Sequence, residues 1–182
     1  MARLPLISRD ELNPEQQRVY DDIAGGPRGA VRGPFLSLLY SPKLADCAQK
    51  LGRFVRYDCS VPQKLREMAI LITARHWRSQ YEWYAHETHA RNAGLPDAVI
   101  EAIRHGERPD FTDPAEAEIY DFCTELYDTK RVSDATFARV EARHGKTGAV
   151  ELAGLLGHYN LIAITLNMSE TPVPGGARPL AE

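Results

Sequence analysis

The sequence predicts an all-α domain of about seven or eight helices, and three observations carry that prediction. Proline and cap residues cut the chain into helix-length segments, the apolar residues inside them recur at helical spacing, and no segment alternates as a strand does. Five of the twelve prolines stand at helix starts, where a fixed φ is already helical and the missing N–H has no partner to lose. Asn13 before Pro14 opens a helix over 14–24, and Ser41 before Pro42 opens one over 42–58. Ser60, just upstream of Pro62, starts 61–76, and the run Ala-Ile-Leu-Ile-Thr at 69–73 is helical because it lies inside that capped, periodic segment. Ser79 starts 80–93, Leu95-Pro96-Asp97 starts 96–105, and Asp113 before Pro114 starts 114–130. Gly106 and Gly145 read as stops, with Ser133 and Thr147 capping 134–144 and 148–168. In the last segment Leu152, Leu155, Leu156, Tyr159, Ile162 and Leu166 form a core-facing stripe. Two Gly/Pro-rich stretches are loops: residues 25–34 (GGPRGAVRGP, with Arg28 and Arg32) and the tail 171–182, with Arg178.

At 182 residues the chain is expected to be a single domain, 1–182, able to bury roughly 70% of its unfolded surface without a disulfide or metal. The 43% apolar and 26% charged content excludes a wholly disordered, collagen-like or coiled-coil chain. A net charge of -3 with no Lys/Arg cluster argues against nucleic acid as a partner. The three cysteines (Cys47, Cys59, Cys123) are odd in number and include no C-x-x-C, which fits a reducing, cytoplasmic setting and gives no zinc ribbon. The N-terminal apolar run is four residues long, too short for a signal peptide. Leu152 to Ser169 carries no formal charge and just reaches membrane-spanning length. Its Gly154, Gly157, His158, Asn160 and Asn167 favour a helix buried in the protein or between subunits instead.

The chemistry concentrates in residues 60–94 (SVPQKLREMAILITARHWRSQYEWYAHETHARNAG), which hold three of the six histidines and both tryptophans. Ser79-Gln80-Tyr81-Glu82 matches the capping box S-x-x-E, so a helix begins there after a break near His76-Trp77-Arg78. Glu67 precedes His86 by nineteen residues, about 28 Å on one straight helix, yet two antiparallel helices joined near Trp77 would bring them together. Glu82 and His86, four apart, share a helix face, an arrangement suited to acid/base work. Two blander readings stand beside it: Glu82 as a helix cap and His86 as a satisfied core histidine. Glu82, His86 and His89 would also be spaced as a three-ligand metal face. His86-Glu87-Thr88-His89 is one residue short of a zincin motif, and Gly145-Lys146-Thr147 lacks the first glycine of a P-loop.

This stretch resembles the carboxymuconolactone decarboxylase and alkylhydroperoxidase D-like (AhpD-like) family, loosely over 35–170 and specifically over 60–95. The family pattern is a Glu, then C-x-x-C or its replacement, then a His four residues after the second Cys, closed by an A-x-x-x-G-like helix end. Glu67 falls at the Glu position, His86 at the His position, and Ala90 to Gly94 at the close, while Ser79 and Glu82 replace the cysteines. The departure sets the chain apart from the peroxidase branch and matches the decarboxylase branch, where E-x-x-x-H is common. The resemblance implies an AhpD-like homo-oligomer, commonly a trimer or hexamer, acting on a small anionic or lactone-type substrate without a cofactor. It casts His86 as general acid, with Glu67 and Glu82 setting its protonation. Arg75 and Arg78 would clamp the substrate carboxylate, and Trp83 would help bind it. The alternatives are a hydroperoxide reductase, disfavoured by the missing cysteines, and a non-catalytic oligomeric small-molecule binding protein.

Overall fold

The computed structural model describes residues 2–5 and 7–181; Met1, Leu6 and Glu182, which complete the expected domain and tail, lie outside them. Among the described residues there is no strand. The helices are α1 (Pro14–Gly25), α2 (Pro34–Leu38), α3 (Pro42–Arg53), α4 (Gln63–His76), α5 (Gln80–Asn92), α6 (Asp97–His105), α7 (Pro114–Thr129) and α8 (Asp134–Ser169). The short α2, set off by Gly33 and Pro34, was not foreseen.

Caps act at several of the expected places. Asn13 and Gln16 form a reciprocal capping box, Asp113 accepts from the Ala115 N–H at 2.9 Å, and Ser133 accepts from the Thr136 N–H at 3.3 Å. Ser41 makes no side-chain cap bond, and Ser60 binds the Glu151 carboxylate through both its N–H and its hydroxyl. Gly106, at φ 74, closes α6 in the left-handed conformation.

One expected helix has a different limit. The segment 42–58 stops being α-helical at Arg53 and continues as a π-helical turn, Phe54–Asp58, which sets Arg56 and Tyr57 on the wall of a cavity. Segments 134–144 and 148–168 follow one another as two helices across a kink within α8, broken at Gly145 (φ 67, ψ 176), the expected stop; among the described residues Thr147 makes no side-chain cap bond.

Helix α4 is the central rod. Met68, Ala69, Ile70, Leu71 and Ile72 are all buried because α5, α7 and α8 cover it on successive faces. The six stripe residues of α8 are buried as well, so this apolar helix serves as a core helix of the fold. The tail is pinned onto α5: Gln80 exchanges two 2.9 Å bonds with the backbone of Leu180, and Arg104 donates to the Pro179 carbonyl at 2.7 Å.

Candidate active site

The turn at Trp77-Arg78 folds α5 antiparallel onto α4. That hairpin closes the nineteen-residue gap: the His86 Nδ1 lies 2.7 Å from the Glu67 Oε2, with both side chains buried. Burial works to raise the Glu67 pKa, but the His86 ring, aided by Arg56 and His89, outweighs it and holds the carboxyl below its ordinary value. For His86 burial dominates and lowers the imidazole pKa against the pull of Glu67. The pair is therefore a carboxylate accepting the Nδ1–H of a neutral imidazole. The free edge of the ring is Nε2, an acceptor, so His86 is set up to take a proton rather than to act as the general acid expected from the sequence. Tyr159 stands edge-on to His86 at 5.1 Å and braces its orientation.

His86 opens onto a cavity of about 560 Å³ between α5, α8, the π-helical turn and the 26–33 loop. Helix periodicity decides what α5 contributes. Tyr81, Glu82, Ala85, His86 and His89 lie on the cavity face, whereas Trp83 and Glu87 point the other way. Trp83 is fully buried, donates its indole N–H to Glu87 at 3.0 Å and lies under the Arg104 guanidinium, so it takes no part in the cavity. Arg75 is also displaced, sitting across α4 beside Gly106 with its buried Nε unpartnered. Arg78 is exposed at the α4–α5 turn with φ 50. None of the three residues expected to bind substrate lines the site.

Arginines do line it, but from elsewhere. Arg28 and Arg32 come from the Gly/Pro-rich loop and Arg56 from the π-helical turn, and among the described residues none of them is ion-paired with a carboxylate. Arg28 lies 4.6 Å over the Phe35 ring. Its approach depends on Gly52 of α3, where a Cβ would come within 2.6 Å of both the Arg28 guanidinium and the His158 Nε2. His158, also at the cavity, has its pKa pushed down to about 3 by burial, Arg28 and His86, and so stays neutral.

Ser79 takes the N-cap position of α5 but makes no cap bond, and its hydroxyl is buried without a partner. The expected capping box is therefore not formed. Glu82, 1% exposed, is left with both carboxyl oxygens unpartnered, and burial raises its pKa well above the ordinary value. Glu82, His86 and His89 do not assemble as a metal site: among the described residues no group of three His, Cys, Asp or Glu side chains does. Cys59 and Cys123 are buried and Cys47 is exposed.

An all-helical domain carrying a buried Glu–His pair at a helix hairpin has the AhpD-like fold, and solved structures share it over nearly the whole chain. The alkylhydroperoxidase AhpD core of a peroxidase-related protein from Ralstonia eutropha JMP134 matches with a TM-score of 0.77 at 16% identity, covering 98% of this chain and 95% of that one. A peroxidase-related protein from Silicibacter sp. TM1040 gives 0.71 at 14% identity over 98% and 95%. A cysteine-to-alanine variant of the debrominase Bmp8, in complex with 2,3,4-tribromopyrrole, gives 0.74 at 14% over 97% and 95%. No protein-family model and no curated protein matches the sequence.

Proposed function

We propose that the protein is a cofactor-independent enzyme of the decarboxylase-like kind, which transfers protons on a small, unsaturated, carboxylate-bearing substrate such as a carboxylated lactone. The observation that carries this reading is the joint presence, in one cavity, of a proton-accepting imidazole and three arginines with no carboxylate of their own. Such arginines supply forked donors for a carboxylate, while Tyr81, Tyr84 and Ile162 give a flat unsaturated ring an apolar seat. In the reaction the bond to the departing CO2 breaks and its electron pair enters the conjugated carbonyl of the lactone. A proton then completes the new C–H bond. The enzyme classes of the structural neighbours favour catalysis over simple binding. Thiol-dependent peroxide reduction is disfavoured because Ser79 and Glu82 stand where that chemistry needs cysteines. Self-association as a trimer or hexamer is part of the proposal, supported by the exposed Val150, Ile164 and Met168 on the outer face of α8.

The test is release of CO2 from carboxymuconolactone by the purified protein, followed with the His86→Gln variant. Turnover that falls by ~100-fold or more in the variant supports the reading. Binding without turnover in the wild type would make the protein a small-molecule binder instead.

A further inference from the structure

Glu82 is a cavity carboxyl whose state the fold leaves unexplained by any protein contact. A carboxylate buried at 1% exposure, with neither oxygen bonded, would have no donor and no cation to balance it. The neighbouring groups are all otherwise engaged or out of bonding reach. Glu67 on α4 holds His86, and Tyr127 on α7 bonds Thr73 and Asn160. His158 and Tyr159 on α8, His89 on α5 and Arg56 on the π-helical turn make no bond to it. The resident form is the neutral acid, an O–H held at the cavity wall with no acceptor in the protein. One helical turn further on the same face, His86 presents a lone pair.

We infer that Glu82 is the proton donor of this site and His86 the base that recharges it, so that substrate is protonated by a carboxylic acid and not by an imidazolium. The inference rests on the proton-transfer reading above and assigns its missing acid. As the C–CO2 bond breaks, the electron pair held in the conjugated carbonyl returns to carbon, the new C–H bond forms and the Glu82 O–H bond breaks. The Glu82 carboxylate, unpaired where it stands, then regains a proton from bulk solvent relayed through the Nε2 of His86, one proton taken up for each CO2 released, which closes the cycle with no net change in the protein.

Infrared spectroscopy and kinetics test this on the intact protein. The wild-type spectrum at neutral pH, minus that of Glu82→Gln, is expected to show the C=O band of a protonated carboxylic acid. That band should shift when 2-furoate, a planar unsaturated acid used as a non-reacting probe, saturates the cavity. Single-turnover conversion of carboxymuconolactone should slow by ~100-fold or more in Glu82→Gln, with furoate affinity held within about threefold. Absence of the band, a band that bound furoate leaves unmoved, or wild-type turnover in Glu82→Gln each overturns the inference. Failure of the wild type to convert carboxymuconolactone overturns the proposed substrate alone, and the band and its response to furoate then decide the role of Glu82.

Discussion

Glu82→Met should make this protein more stable while removing its activity. In the unfolded chain the Glu82 carboxyl ionises near its ordinary value of 4.5, whereas burial keeps it protonated to well above that in the folded protein. Between those two points the folded state holds one more proton than the unfolded chain. Stability attributable to this group is therefore lost as pH rises, at about 1.4 kcal/mol per unit. The loss accumulates over each pH unit between 4.5 and the raised folded-state value, and methionine, of similar length and with no proton to hold, avoids it. Below about pH 4 the carboxyl is protonated in both states. Only the cost of an unpaired neutral carboxyl remains there, about 1 kcal/mol. The gain should thus appear as a rise in Tm that grows by roughly 3–6 °C per pH unit above 4.5 while the buried acid stays protonated, and shrinks steadily toward acid. Urea titrations followed by circular dichroism across this range, on wild type and variant side by side, measure it. A variant no more stable than wild type at neutral pH, or a gain that stays flat with pH, would refute the argument that the carboxyl is buried without compensation.

Four further outcomes are expected. Arg28→Ala and Arg56→Ala should each weaken 2-furoate binding by about tenfold in calorimetry, the loss of one charge-assisted contact, while Arg75→Ala and Arg78→Ala leave it unchanged. Burial, opposed by Glu67, keeps the His86 pKa below 6.5, so the acid limb of the rate profile should lie below that value; Glu67→Gln removes the opposing carboxylate and should move the limb further to acid. An assay with a thiol reductant and an organic hydroperoxide should show no turnover that depends on Cys47, Cys59 or Cys123, and substantial turnover abolished by a Cys→Ser change would contradict this. Analytical ultracentrifugation should find an oligomer that Ile164→Arg dissociates, since a charge would then replace an exposed apolar contact on α8.

Local signals made most of the helices legible, because proline, Asn13, Asp113 and Ser133 act through neighbours in the chain. The Glu67–His86 contact was legible too, since a break at Trp77 leaves an antiparallel hairpin as the way to place two long apolar helices. The arginines were not. Arg56 reaches the cavity only because α3 widens into a π-helical turn, which no propensity announces, and Arg28 depends on an approach to Gly52 from a distant loop. The capping box misled for a related reason: Ser79 and Glu82 have the right spacing, but the Ser79 N–H that the box needs is already donated to the Ala74 carbonyl at 2.8 Å by the α4–α5 turn.

The close approach of Arg28 and His158 over Gly52 makes two distant positions answer to one another. A single methyl at residue 52 would force both the Arg28 guanidinium and the His158 ring to shift, so the charge presented at the cavity is set partly by a residue that does not line it. Directed-evolution libraries that vary only the cavity wall would leave that switch untouched. Varying residues 52 and 28 together would change the charge at the cavity wall and leave the Glu67–His86 pair in place.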